Sequence, residues 1–526
     1  MVYNTKVKKK PRRRGGFEGV SQQMERGAGI LMHIASLPGP FGIGVFGEEA
    51  IRFAEQLKKM GMKYWQVLPF SYPGVGDSPY QSFSAFAGNP LFIDPRRLMR
   101  KGLLTADEVV RAEYNVNKRK IDYDYLRGAK ENLLRTAFSR VGDEMNAEID
   151  KFISENKWAD DVALYSAIKD DNYRNAWWDW QDEKLKAHDE KVLKEWRSKE
   201  NYRFYAFVEY IFRSEWAEIK AEINALGIKI IGDMPFYVSG DSADVWASRE
   251  LFKMNTDKDS KYVFEKVAGV PPDYFCADGQ LWGNPIYDWD KHKQTKYAWW
   301  MNRIAENYEL YDYLRVDHFR AFSSYWEVPA DAATAKEGTW IKGPGMDFFK
   351  QMDKTFGGSE RLFAEDLGEM TEDLKEFMVE CGLPGMKVMQ FGFNPNDNSF
   401  HMPHNYSKNC VAYTGTHDNN TLLGWLWETS ESERNECLKY CGFEGNNWGD
   451  GGSRSASCRA IIRTLWQTSA DSVLVPIQDA LGYGGDTRIN VPGTPNGNWA
   501  VRFTSEDLAS IDNEWFFELN RLYRRL

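Results

Sequence analysis

The 526-residue sequence has no surplus of positive charge, few cysteines, and no apolar run long enough to span a membrane. Its net charge of −10 excludes a body built to hold nucleic acid electrostatically. The six cysteines, Cys276, Cys381, Cys410, Cys437, Cys441 and Cys458, are scattered, and none completes a paired zinc spacing. Cys437 and Cys441 stand one helical turn apart and read as helix neighbours. Free thiols suit a reducing compartment, so a cytoplasmic protein is expected. No repeat on the scale of about 20–50 residues is evident. Residues 1–26 are basic and read as a disordered tail, and no apolar segment of signal-peptide length follows them.

Aromatic residues make up 15% of the chain, with 20 Trp. Composition alone assigns them to a core, although sugar rings also stack on aromatic faces. The Trp177-Trp178-x-Trp180 cluster reads as buried between helices. Gly42-Ile43-Gly44-Val45-Phe46-Gly47 is a literal G-x-G-x-x-G. A dinucleotide fingerprint requires a strand running directly into its first Gly, and two prolines, Pro38 and Pro40, intervene here. A loop and helix cap is the expectation. Asn255-x-Asp257-x-Asp259 mimics a calcium loop but has Ser260 where Gly is needed and Lys266 where Glu is needed, so it reads as a surface turn.

Eight short apolar runs stand out: Ala28–Ile34, Tyr64–Leu68, Ile228–Gly232, Tyr313–Val316, Arg361–Ala364, Met386–Gln390, Cys410–Thr414 and Ser472–Pro476. They carry apolar residues on both faces, as a parallel barrel core requires. Helical patterns separate them, including Glu48 to Met60 and one expected from Lys291 to Tyr308. The pattern predicts an α/β protein, a (β/α)8 barrel over residues 27–526. A helical insertion is expected at about 100–226 and a loop insertion at about 235–290, with a long loop from Pro69 to Asp94.

A parallel barrel carries its chemistry at the carboxyl ends of its strands. Those ends supply Asp233, Asp317, Glu365 and Asp418 from strands three, four, five and seven. One acid after a strand is a common helix cap; four on one rim form a stronger signal. Two chemistries use such a set. The acids with His318 and His417 form a donor set for a divalent ion. Alternatively, glycoside chemistry needs two carboxyls roughly 5–5.5 Å apart for retention of configuration, one nucleophile and one acid/base. Adjacent strand ends such as Asp317 and Glu365 meet that spacing. Arg315, two residues before Asp317, shares its strand face and would keep Asp317 ionised. Glu365 must hold a proton, so its negative neighbours are expected to raise its pKa.

At these residues the chain resembles the 4-α-glucanotransferases known as amylomaltases or disproportionating enzymes. The stretches that carry the resemblance are Gly232–Val238, Gly269–Phe275, Gly279–Pro285, Leu314–Arg320, Ala364–Gly368 and Gly415–Asn420. The resemblance implies a retaining transfer between an α-1,4-glucan donor and a glucose or maltodextrin acceptor, with no cofactor and no metal. It implies Asp317 as nucleophile, Glu365 as general acid/base and Asp418 as the acid that grips two sugar hydroxyls. His417 and Arg315 would contact the sugar in the cleavage subsite, and Tyr80 would stack on it with Ser78 nearby. Asp233, Gln280, Trp282, Asp366 and Asn498 would line the glucan groove. His401-x-x-His404 lies in a stretch without a metal role in that family. A monomer or homodimer without nucleic-acid or membrane partners is expected. An α-glucan hydrolase with an open site, a non-catalytic glucan-binding protein and a metal-dependent hydrolase are the alternatives.

Overall fold

A computed structural model describes residues 24–256, 262–272, 277–368, 370–397, 399–494 and 496–526. Most of the basic tail, the acidic pair Asp257 and Asp259, Cys276 and the Asp273–Phe275 part of a quoted motif lie outside these residues. Eight parallel strands form one sheet: β1 (Gly27–Leu31), β2 (Tyr64–Gln66), β3 (Lys229–Met234), β4 (Tyr313–Val316), β5 (Leu362–Ala364), β6 (Gly385–Val388), β7 (Cys410–Tyr413) and β8 (Ser472–Pro476). The order is β5-β4-β3-β2-β1-β8-β7-β6, which brings the two ends of the sheet together in a nearly closed barrel. At the seam, the Ala364 N–H donates to the Pro384 carbonyl at 2.8 Å.

Alternation along each strand explains the layers. Leu31, Tyr64, Ile231, Phe363, Met386, Val388, Val411, Tyr413 and Leu474 fill the barrel interior. The intervening Ala28, Ile30, Trp65, Ile230, Leu314, Val316, Ala412 and Val473 pack outward in the cluster that holds the helices. Both faces are therefore dry, and the strands read as continuous apolar runs in the sequence. The interior becomes polar toward the carboxyl ends, where Arg315 of β4 and Asp233 of β3 are buried.

The Gly-rich motif ends as a cap: Gly47 is the N-cap of helix Glu48–Lys59. Helices from Pro95 to Ala225 lie between β2 and β3. The last of them, Glu200–Ala225, buries Phe204, Val208, Ile211, Ile219 and Ile223 as its apolar spacing predicts. It also buries Glu209 and Glu215, whose charge alone would mark them as solvent-facing. Their carboxylates accept the Gly88 N–H at 3.1 Å and the Asp94 N–H at 2.9 Å, pinning the far end of the 69–94 loop. Burial pushes these two acids up to about 7 and about 8. Trp177 and Trp180 are fully buried.

Three expectations need correction. Asp233 does not follow β3 but lies inside it, because Arg315 of the neighbouring strand balances its charge there. The helix expected over Lys291–Tyr308 is two, Trp289–Gln294 and Ala298–Leu310, broken where Lys296 and Tyr297 take positive φ. The segment expected to be loops contributes to a second, antiparallel sheet. Lys266–Val270 pairs with Gln280–Pro285 and with Ser324–Pro329, which in turn pairs with Thr339–Lys342. These strands are half exposed and rich in Gly, Pro and charge, so they lack the apolar run that betrays a barrel strand.

Candidate active site

The site is assembled at the carboxyl ends of β3, β4, β5 and β7. Register places it: Asp233 pairs with Arg315, and Val316 with Ala364, so Asp317 and Glu365 emerge side by side from adjacent strands. The Asp317 N–H donates to the Met234 carbonyl at 3.0 Å, and the Glu365 N–H to the Val316 carbonyl at 3.0 Å. These backbone bonds continue the ladder past the strand ends and fix where the two side chains start.

Arg315 is the hub. Its Nη1 reaches both Asp233 oxygens, at 2.8 and 2.7 Å, and its Nη2 reaches Asp317 Oδ1 at 2.9 Å. Its Nε points at the Met386 sulfur at 3.4 Å. Two flanking carboxylates hold the guanidinium well above its ordinary pKa despite its burial. Burial pushes Asp233 upward while Arg315 pulls against it. Tyr80 donates its hydroxyl to Asp233 Oδ2 at 2.8 Å and touches His417 Nε2 at 3.0 Å, and its ring stacks on the His417 imidazole at 5.3 Å. Ser78 supports it, its Oγ accepting the Tyr80 N–H at 3.2 Å.

Glu365 is held differently. Its Oε2 accepts the His318 N–H at 2.8 Å and its Oε1 the Leu367 N–H at 2.8 Å. No cation contacts it among the described residues. Burial pushes it up to about 7, with Asp317 adding to the rise and Arg315 opposing it. The expected direction holds, but the larger cause is desolvation rather than the negative neighbours. His318 takes a left-handed backbone (φ 48°) at the turn from β4. Its imidazole is pushed down to about 4 by burial, so it is neutral in the working range.

Asp418 lies across from this pair. Its Oδ2 is 3.4 Å from His417 Nε2, and its Oδ1 accepts from Asn490 Nδ2 at 2.6 Å. The Arg488 guanidinium bonds the Asp418 carbonyl at 2.6 Å. Gln280 and Trp282 stand on one face of strand Gln280–Pro285, joined at 3.1 Å, and the Trp282 ring meets His318 edge-on at 4.8 Å. Asp366 and Asn498 are engaged elsewhere. Asp366 Oδ1 accepts the Met386 N–H at 2.6 Å across the barrel seam. Asn498 accepts the Val491 N–H and donates to Thr494, closing its own loop. His401 and His404 part company: Nδ1 of His401 accepts from Val388 N–H, while His404 meets the Tyr440 hydroxyl. Among the described residues, no group of three or more His, Cys, Asp or Glu side chains is arranged to hold a metal ion.

Sequence reasoning missed Asn490, Arg488 and Trp499. Trp499 is a buried non-glycine residue at φ 63°, and its ring packs on Tyr80 at 5.6 Å and on His417 at 5.8 Å. All three come from a segment 70 to 81 residues beyond Asp418. Nothing local in a single sequence announces that return.

A family model described as 4-alpha-glucanotransferase matches residues 32–508. A 4-alpha-glucanotransferase from Clostridium butyricum is 42% identical over 500 residues, covering 94% of this chain and 100% of that protein. One from Streptococcus pneumoniae is 40% identical over 509 residues, covering 95% and 98%. Among solved structures, an amylomaltase from Streptococcus agalactiae in complex with acarbose superposes with a TM-score of 0.90 at 38% identity, covering 95% of this chain and 100% of that one.

Proposed function

We propose a division of labour for this chain, which belongs to the 4-alpha-glucanotransferase family: Asp317 attacks, Glu365 moves the proton, and Asp418 grips the sugar. The family activity moves a segment of an α-1,4-glucan to an acceptor. In the first step an Asp317 oxygen forms a bond to the anomeric carbon. The glycosidic bond breaks, its electron pair stays on the departing O4, and Glu365 delivers a proton to that oxygen. In the second step a 4-hydroxyl of glucose or a maltodextrin gives its proton back to Glu365 as its oxygen displaces Asp317. Two inversions give net retention.

The observation that carries this reading is the unequal sharing of one guanidinium. Arg315 contacts Asp317 directly and leaves Glu365 with backbone donors alone. A nucleophile needs a charged oxygen held in place; a general acid needs a proton at working pH. Neighbouring positions on paired strands support the short carboxyl separation of retaining enzymes. Asp233 anchors Arg315 and Tyr80; His417 and Tyr80 form the platform of the cleavage subsite. Gln280 and Trp282 wall the groove, while Asp366 and Asn498 shape it through the backbone. The 69–94 loop and the segment within 235–290 cover the groove and exclude water, which favours transfer over hydrolysis. The 100–226 helices brace that cover. A cytoplasmic monomer or homodimer completes the reading.

Incubation with maltotriose tests it. Glucose plus a ladder of longer maltodextrins, with no net gain in reducing ends, is the expected result. Glucose and maltose with rising reducing ends would replace transfer with hydrolysis.

A further inference from the structure

Strand Gln280–Pro285 has two faces, and only one looks into the site just described. Gln280 and Trp282 face His318; Leu281 and Gly283, the alternate residues, face the other way and line a separate cavity of about 390 Å³. Trp178 of the helical insertion lines it too, and Tyr262, Val263, Phe264, Val267 and Ala330 complete it. The volume falls within the range of roughly 300–1,000 Å³ usual for small-molecule sites.

The lining is chemically specific. Trp178 and Phe264 meet edge to face at 6.0 Å, so their ring faces stand at right angles. Tyr262 packs on Trp177 at 5.0 Å with the Arg249 guanidinium 4.9 Å from its ring, which orients it. All three rings are part-exposed, and the exposed Leu281 extends the apolar surface. At Gly283 (φ 74°) a Cβ would meet nothing within 4 Å, so the backbone is open to a close approach. Gly240 is the opposite case: a Cβ there would strike the Phe264 ring at 2.8 Å, so the bare backbone lets that ring seat. Rings set at angles, with a phenol and an indole among them, suit a curved chain of pyranose units. Its C–H faces pack on aromatics while its hydroxyls stay near polar tips and water.

We propose that this cleft is a remote binding site for α-1,4-glucan chains, on the rear of the strand that carries Gln280 and Trp282. The occupant is a stretch of the same polymer whose reacting end lies in the active site, or a second such chain. This rests on the family reading of the substrate and adds where a long chain is held. Short oligosaccharides do not reach it, so it acts on affinity for polymer and leaves the chemical step alone.

Two variants test it. Ala330→Arg plugs the cleft from an exposed position, and Trp178→Ala removes its indole. In both, KM for long amylose is expected to rise by about fivefold, equivalent to roughly 1 kcal/mol. kcat/KM for maltotriose should stay within about twofold of wild type, since each 1.4 kcal/mol is tenfold. In an Asp317→Asn background, electrophoresis through amylose-containing gels should show weaker retardation for both. Unchanged KM and unchanged retardation in the Ala330→Arg protein would overturn the proposal. So would a parallel fall in maltotriose turnover, which would place the effect in the catalytic groove. If the wild-type chain failed on maltotriose, the family reading would be at fault, and the gel assay alone would decide the cleft.

Discussion

The ends of β4 and β5 lie side by side, yet they treat their carboxyls in opposite ways. At β4, Asp317 receives a guanidinium nitrogen at 2.9 Å. At β5, Glu365 receives two backbone N–H groups and a dry pocket, and its pKa rises to about 7. One hub residue makes the difference. Arg315 bonds Asp233 and Asp317 and leaves the Glu365 oxygens to backbone donors. Two chemically similar groups thus acquire different partners from position alone. The same rim carries a contrasting pair of acids, Asp366 and Asp479. Asp366 accepts the Met386 N–H, and Asp479 accepts the Leu422 N–H and the Thr414 hydroxyl at 2.7 and 2.5 Å. They hold backbone in place. A carboxylate at a strand end is therefore a candidate only, and backbone bonds alone do not sort staple from reagent, since Glu365 also accepts two of them.

The comparison breaks most completely if either reacting carboxyl is removed. Asp317→Asn and Glu365→Gln should each lower kcat on maltotriose by about four orders of magnitude or more, because groups acting as a unit fail together. Initial-rate product analysis measures both. A variant keeping a tenth of wild-type turnover would remove that residue from the mechanism.

Removing the hub should cost less in rate but more in stability. Arg315→Met leaves Asp233 buried against no cation, a loss on the order of 3–5 kcal/mol. It also frees Asp317 from its partner, with a fall of about 10²–10³ in kcat expected for one lost electrostatic contact. Denaturant titration and steady-state kinetics read the two effects separately. Arg315→Lys should recover part of the charge but not the fork that serves two acids at once.

The smallest effects are in pH. Glu365 must carry a proton for the first step, so kcat/KM should fall as pH rises through about 7. Stability follows the same group. Because the folded state raises its pKa, folding is unpenalised below the ordinary carboxylate value near 4.5, and the penalty is complete above about 7. Glu365→Gln should therefore be more stable than wild type at pH 8, by at most roughly 3 kcal/mol, and indistinguishable from it near pH 4. A variant equally stabilised at both pH values would show that burial, not charge, explains the gain.

How much of this was legible in the sequence follows from the physics of each part. The eight barrel strands were legible because burial on both faces writes an apolar run that little else imitates. The placing of Asp317, Glu365 and Asp418 at strand ends, and the Arg315–Asp317 spacing, were legible because these residues closely follow or lie within such runs. The antiparallel sheet was not, since its strands are half exposed and short. Nor was the break at Lys296 and Tyr297, where no Gly or Pro announces a turn. The cause of the Glu365 shift was misjudged because burial is a property of the whole fold. Trp499 and Asn490 were out of reach for the same reason: their contacts to Tyr80, His417 and Asp418 join segments far apart in the chain.

The central claim is that Asp317 forms the covalent bond while Glu365 only moves protons. A maltosyl fluoride whose terminal 4-hydroxyl is absent separates the two. Fluoride leaves without a proton, and the donor cannot serve as its own acceptor. Mass spectrometry of proteolysed Glu365→Gln protein after incubation should find one maltosyl-derived unit on the peptide that contains Asp317, and none in the Asp317→Asn protein. A label on another residue, or stoichiometric fluoride release by Asp317→Asn, would contradict the account.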